Sequence, residues 1–363
     1  MKLTCLTLQN FRNIEYEKIY FSDGVNILVG KNAQGKTNIL EAINFCSYLK
    51  SFRSCSEQQL IMIGKEFAKI KLEYKDFSDN CVIEIKIFKT EPKQLKINGI
   101  TVAKNRQFIG QFLSIVFTPD HLNLIKEGPN KRRSFLDMAL CALDIKYTDA
   151  LLKYQKILAQ RNAVLKKSAD CFENSLLLDV YDQNLAKEGA YIAYSRAKYI
   201  EKLEPFAKKI FMEMTKTDIK LKLLYINQFL KTADCCEDFE TAILERLRKK
   251  RQADIIARVT QSGIQKDDIL ILGAGKSLKH FGSQGQIRCA VLSLILAQSK
   301  VIYDIRGDYP VIILDDILSE LDRTRKAFIF KGLENTQCIL STCEAQKVKN
   351  RGNILKVSKG RII

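Results

Sequence analysis

Gly30-Lys31-Asn32-Ala33-Gln34-Gly35-Lys36-Thr37 follows the apolar run 25–29 and leads into the helical pattern of 38–48. The spacing from Gly30 to Lys36 lets a tight loop turn successive backbone N–H groups inward, forming an anion nest at a helix N-terminus. A Gly-containing turn of no special purpose is the competing reading, and the strand-loop-helix context argues against it. The segment is read as a P-loop for a nucleoside triphosphate. Lys36 would neutralise the β- and γ-phosphates, and the Thr37 hydroxyl would ligate Mg²⁺, which prefers oxygen ligands and keeps several waters.

A length of 363 residues with 46% hydrophobic content predicts roughly two lobes, each with an ample core. The formal charge of +18, from 59 Lys+Arg against 41 Asp+Glu, favours a polyanionic partner. DNA, RNA or an acidic membrane surface could supply it. No stretch approaches the roughly 18 uninterrupted apolar residues of a membrane helix, and the start MKLTCLTLQNF lacks a signal-peptide layout. A cytoplasmic protein with no membrane partner is expected. The 11 cysteines are scattered through apolar or helical contexts and read as free thiols. Cys235 and Cys236 lack CxxC spacing, and His121 and His280 are the only histidines, which leaves little for a zinc site.

Period-two alternation in Leu3, Cys5, Leu6 and Leu8, in Ile70, Leu72 and Tyr74, and over 82–88 predicts strands. Asn98-Gly99 between 95–97 and 100–102 predicts a tight hairpin. From about 120 to 258 the period turns helical, as in Leu151, Tyr154 and Leu158. Strand character returns at 269–272, 311–314 and 338–341, where the sheet is expected to resume. The phosphate-binding lobe is therefore assigned to 1–118 plus 259–363, and a helical insert to 119–258.

Val311-Ile312-Ile313-Leu314-Asp315-Asp316 reads as a buried parallel strand ending in two carboxylates. Asp315 would hold Mg²⁺ directly or through water, and Asp316 would orient or deprotonate the attacking water. Taken alone, the acids could simply cap the following helix; downstream of a P-loop that reading weakens. Phe281-Gly282-Ser283-Gln284-Gly285-Gln286-Ile287-Arg288 precedes a further apolar helix pattern. A hydroxyl, a Gly backbone and a helix N-terminus form a second anion site, although a Ser-capped helix start is the plainer alternative. One chain has no need of two sites for one γ-phosphate, so the economical reading has each subunit's second site complete the other subunit's pocket.

In this order the motifs resemble the ABC-type ATPases, among them the SMC branch of DNA-repair proteins, and most closely the RecF family. The resemblance runs through LTLQNFRNIEY, the P-loop, VFTPDHLNLIKEGPNKRRSFLD, FGSQGQIR and ILDDILSELD. It implies an α/β fold, an ABC-type P-loop ATPase head of mixed sheet and helices with an inserted, mostly α-helical lobe. It also implies that Gly30 to Thr37 bind ATP, with Lys36 and Thr37 as the Walker A lysine and hydroxyl and Asp315 and Asp316 as the Walker B acids. Ser283, Gly285 and Gln286 would be the signature. Ser319, Glu320, Leu321 and Asp322 would be a loop crossing a dimer interface, and Arg12 and Asn13 would lie near the phosphates. Where the family has a GPHRDD-like string, this chain has Gly263-Ile264-Gln265-Lys266-Asp267-Asp268, keeping the Gly and both acids. The implied partners are single-stranded, gapped or junction DNA, a second copy of the chain brought in by ATP, and RecR, RecO and RecA.

For DNA contact the candidates are Lys131, Arg132 and Arg133, and the run Arg246, Arg248, Lys249, Lys250 and Arg251 with Arg258 beyond it. Each cluster could equally be a solvated face, and the global charge tips the balance. No base-reading motif is evident, so phosphate contacts are expected. The expected mechanism is an ATP-gated DNA clamp with weak ATPase activity that reopens it. The ATPase subunit of a transporter and a long-coiled-coil SMC relative are the alternatives. Neither the charge nor the insert, which lacks sustained heptads, favours them.

Overall fold

The computed structural model describes residues 1–53, 55–77, 79–167, 172–229, 235–317, 322–332, 335–343 and 352–363. The chain divides into one unit of Met1–Leu122, Glu213–Lys216 and Arg288–Ile363, and another of Asn123–Met212 and Thr217–Ile287.

In the first unit the alternating segments form an antiparallel sheet of β1 (Lys2–Phe11), β2 (Ile14–Tyr20), β4 (Phe67–Asp76), β5 (Asp79–Phe88), β6 (Gln94–Ile97) and β7 (Ile100–Val102). Their order is β2-β1-β4-β5-β6-β7. Leu6, Leu8, Ile70, Leu72, Ile83 and Ile85 are buried on one face, as period two requires. The Asn98-Gly99 turn has φ of 48° and 82°, and Ile97 pairs with Ile100, so the two-residue hairpin forms as expected.

The apolar runs build a second sheet from β3 (Val25–Val29), β8 (Ser114–Phe117), β12 (Val311–Asp315), β13 (Cys338–Thr342), β14 (Asn353–Ser358) and β15 (Arg361–Ile362). The order is β15-β14-β3-β13-β12-β8, parallel except for β15. Every residue of β12 and β13 is buried, the condition for a strand covered on both faces. The helix Lys36–Tyr48 fixes itself to this sheet through Ser47, whose hydroxyl is 2.7 Å from that of Ser114, and through Tyr48, whose hydroxyl donates to the Ser114 carbonyl at 2.7 Å. Cys46, Cys289 and Cys338 are buried free thiols, and burial pushes all three up, so they stay neutral.

The second unit contains the helices Pro129–Leu143, Ile145–Lys167 and Cys236–Ala257 and most of Phe172–Thr215. It also holds a three-stranded antiparallel sheet ordered β11 (Lys276–Ser277), β10 (Asp268–Gly273), β9 (Leu221–Ile226). The segment 269–272 therefore does not resume the parallel sheet. Ile269 and Ile271 are buried while Leu270 is 36% exposed, so the strand has one wet face and suits an antiparallel pairing. Residues 259–287 accordingly fall in this unit, not with the P-loop as expected.

Charges are buried here in two sets. Arg161 is fully buried, 2.7 Å from Asp182 and 2.8 Å from Asp254, both fully buried as well. Arg251 adds contacts of 2.6 Å to Asp182 and Asp179. In the other set Arg196 donates to Asp137 at 2.8 Å and to Asp267 at 3.2 Å, and the Tyr225 hydroxyl donates to Asp267. Oδ1 of Asp267 is buried with no protein partner. Removing one member of a buried ion pair strands the rest, so Arg161→Met should destabilise the protein by about 3–5 kcal/mol in urea unfolding. A loss below about 1 kcal/mol would mean the two aspartates are already solvated.

Burial pushes the Asp267 carboxyl up to about 7, against the opposing pull of Arg196 and Tyr225. The folded chain then binds a proton that the unfolded chain has released. This contribution to stability is complete below about pH 4 and is lost as pH rises through about 7. Asp267→Asn should flatten the decline in unfolding midpoint between those limits. An undiminished decline would assign it to another group.

Candidate nucleotide site

The loop after β3 is shaped by close approaches that leave no room for side chains. A Cβ on Gly30 would sit 2.3 Å from the carbonyl oxygen of Val357, and Gly35 has φ of 105° beside the Asn13 side chain. The turn between β14 and β15 grips the loop from outside. Lys359 N–H donates to Gln34 Oε1 at 2.8 Å and Gly360 N–H to the Gln34 carbonyl at 2.9 Å. Gly35 then opens the helix Lys36–Tyr48, whose first N–H groups face the loop.

Lys36 is buried, and its ammonium donates to the carbonyls of Gly30 at 2.6 Å and Lys31 at 2.8 Å. The Thr37 hydroxyl donates to Asp315 Oδ1 at 3.0 Å, and the Ser341 hydroxyl donates to the same oxygen at 2.7 Å. Ser341 accepts in turn from the Asp316 N–H at 3.0 Å. Asp316 takes a left-handed φ of 50°, which turns the exposed residue out of the strand direction. A pocket lined by 32–38, Arg53, Asp316, Ser341 and Cys343 results. It is a polar cleft at the C-terminal ends of parallel strands, where α/β sheets take their ligands.

Arg12 and Asn13 behave differently from each other. The Arg12 guanidinium forks onto the buried Glu41 at 2.9 and 2.7 Å and also donates to the Gln59 carbonyl, and the Glu41 hydrogen bond raises its pKa. It does not line the pocket, whereas Asn13 holds the side chain of Asn38 at 2.7 Å at its edge. Besides Lys36, the pocket is lined by the cation Arg53, which donates to Asn38 Oδ1 at 2.8 Å. Arg53 and Cys343 escaped the sequence reading because neither belongs to a spaced motif. The Cys343 sulfur lies 3.4 Å from the Lys36 ammonium.

Ser283 is exposed and begins the helix Gln284–Arg306. Its hydroxyl accepts from the Gln286 N–H at 3.2 Å, and its own N–H donates to Gln286 Oε1 at 2.9 Å, a reciprocal cap. Gly285 lies within the first turn. That helix is long and apolar enough to cross a membrane by length and composition, but 78% of its apolar window is buried inside the protein. Ser319, Glu320 and Leu321 lie outside the described residues; Asp322 is described, and its carboxylate accepts from the Arg325 N–H at 2.8 Å.

Among the basic candidates, Arg132 is buried and tied to Asp268 at 2.6 and 3.0 Å and to the Glu127 carbonyl at 2.9 Å. Arg133 donates to the Asp267 carbonyl at 2.6 Å, and Arg251 belongs to the buried aspartate set. These three are internal ties. Lys131, Arg248, Lys249, Lys250 and Arg258 are exposed, and Arg246 is half-buried.

A family model described as RecF/RecN/SMC N terminal domain matches residues 2–362. The DNA replication and repair protein RecF of Clostridium perfringens (strain SM101 / Type A) is 38% identical over 367 residues, covering 100% of this chain and 99% of its own. A solved structure of the recombination mediator protein RecF-ATP in the RecFOR pathway superposes with a TM-score of 0.93 at 33% identity, covering 100% of this chain and 97% of that one. An Smc head bound to the C-winged helix domain of ScpA has a TM-score of 0.59 at 17% identity, covering 100% and 97%, and shares the fold. The nucleotide-loop geometry, the parallel sheet and these likenesses agree: the fold is an ABC-type ATPase head with a mostly helical lobe, and the chain belongs to the RecF/RecN/SMC N-terminal domain family, among the RecF proteins.

Proposed function

We propose that this chain is an ATP-dependent DNA-binding protein of DNA replication and repair, working in the cytoplasm as a dimer that ATP closes. The observation that carries the proposal is the meeting of Lys36, Thr37, Asp315 and Ser341 at one loop, with Asp316 on the pocket wall. That arrangement supports binding of a triphosphate along the loop N–H groups, with Lys36 exchanging carbonyl partners for phosphate oxygens.

Mg²⁺ fits the residues present, because the Thr37 hydroxyl and the Asp315 carboxylate are oxygen donors 3.0 Å apart, the hard-donor chemistry this cation prefers. When bound it would neutralise charge on the phosphates. Asp316, exposed at the strand end, orients and deprotonates the attacking water. Ser283, Gly285 and Gln286 serve the pocket of a second copy, and the exposure of Ser283 is compatible with a contact made in trans. ATP shifts the dimer equilibrium by what that contact adds in the closed form.

The exposed basic residues and the charge of +18 support phosphate contacts to single-stranded, gapped or junction DNA. The resemblance to the RecF-ATP structure of the RecFOR pathway supports a role with RecR and RecO, and the resemblance of the motifs to the RecF family extends it to RecA. Slow, weak hydrolysis then reopens the clamp.

Lys36→Ala should abolish ATP binding in calorimetry, whereas Asp316→Asn should keep ATP and lower turnover by about 10²–10⁴-fold. Normal turnover in Asp316→Asn places the base elsewhere. Ser283→Arg should bind ATP yet stay monomeric in light scattering. ATP-dependent dimers of that variant would refute the trans contact.

A further inference from the structure

The outward face of the antiparallel sheet in the first unit is rich in lysine and aromatic side chains. The register gives its composition row by row. Lys18, Thr7, Lys71, Glu84 and Lys96 lie side by side across β2, β1, β4, β5 and β6. The next row is Tyr16, Gln9, Lys69, Lys86 and Gln94. Beyond it Phe67 faces Phe88, and on the other side of the first row Tyr20, Cys5 and Glu73 line up. Lys2 and Lys75 form the last pair. Among the described strand residues the acids on this face are Glu73, paired with Lys71 at 2.8 Å, and Glu84, paired with Lys69 at 2.7 Å, so Lys2, Lys18, Lys75, Lys86 and Lys96 leave lysine in excess.

The rings are held open to solvent. Tyr16 is 60% and Tyr20 63% exposed. The Lys86 ammonium stands 4.4 Å from the Phe67 ring centre and 4.9 Å from that of Phe88, and Lys18 stands 5.1 Å over Tyr20. Strands repeat one face about every 7 Å along their length and lie about 4.8 Å apart, so the cations form a grid instead of a point cluster. A fold that needed only solubility would mix the two signs.

We propose that this sheet face is the docking surface for single-stranded DNA, its lysines taking the phosphates and its exposed rings stacking on unpaired bases. Charge complementarity names a polyanion. The rings choose the single strand, since an unpaired base offers a π-face to Tyr16 and Tyr20 and a duplex keeps its bases stacked inside. The proposal rests on the DNA-binding reading above and gives it a surface, in place of Arg132, Arg133 and Arg251, which are spent on internal contacts.

The test uses the full chain with a labelled oligothymidine, reading anisotropy across a salt series. In Lys69→Gln/Lys71→Gln/Lys86→Gln the slope of log K against log salt should fall by about 2, from three phosphate contacts at about 0.7 each. ATP affinity measured alongside reports that the unit is folded; if it is lost, Lys18→Gln/Lys96→Gln on the other strands replaces the triple variant, with a fall of about 1.4. Tyr16→Ala/Tyr20→Ala should weaken oligothymidine binding roughly fivefold or more per ring, leave the slope unchanged and spare a blunt duplex. A folded lysine variant with an unchanged slope overturns the surface while the DNA-binding reading stands. Equal weakening of the duplex by the tyrosine variant overturns the single-strand assignment. If the unmodified chain shows no salt-dependent binding, the reading under Proposed function fails first, and the surface with it.

Discussion

One carboxylate oxygen, Asp315 Oδ1, accepts hydrogen bonds from two groups that are far apart in sequence, the hydroxyls of Thr37 in the first turn of a helix and of Ser341 near the end of β13. A carboxylate as buried as Asp315 requires such partners, because an unpaired buried charge is costly. The partners arrive only if β3, β13 and β12 lie adjacent, parallel and in register, with Val29 opposite Thr342 and Ser341 opposite Asp315. The parallel sheet, the loop after β3 and the helix beginning at Lys36 are all constrained by that meeting point.

The two runs that make the pocket were legible because each combined a buried-strand composition with chemistry at its end. Val311 to Leu314 could only be a fully covered strand, and the acids at its end had no packing role to explain them. Gly30 to Thr37 was legible because its glycine spacing and Lys-Thr pair mark a phosphate loop, although the carbonyl of Val357, far along the chain, is what leaves Gly30 no room for a side chain. Asn98-Gly99 was a local signal as well. Contacts set at a distance were not legible. Ile269 to Leu272 looks like any short apolar strand, and its partner β9, Leu221–Ile226, breaks the leucine-lysine alternation at Leu224 and has no obvious turn beside it. Arg12 stands in a motif pointing to phosphates, yet its fork is filled by Glu41 from the nucleotide-loop helix.

The basic clusters misled for a physical reason. A positive side chain reads the same in sequence whether it faces water or a buried aspartate, and only the fold tells the cases apart. Arg132, Arg133 and Arg251 all turn inward, while their neighbours Lys131, Arg248, Lys249 and Lys250 stay wet. Burying arginine instead of lysine follows from its planar fork, which satisfies several acceptors at once and is less strongly hydrated. In the helical unit Arg161 and Arg196 each join acceptors from several segments, so losing either arginine strands buried groups on more than one of them.

The neighbours of β3 come from 338–342 and 353–356, some three hundred residues downstream. During synthesis the strand that carries the phosphate loop therefore emerges long before anything it can pair with. Contacts of such long sequence separation close slowly, and an unpaired apolar strand such as Val25–Val29 is meanwhile open to wrong partners. The turn at Lys359-Gly360, which grips Gln34, is made later still. The phosphate loop, written near the start of the chain, reaches its working shape only after nearly all the rest has been made.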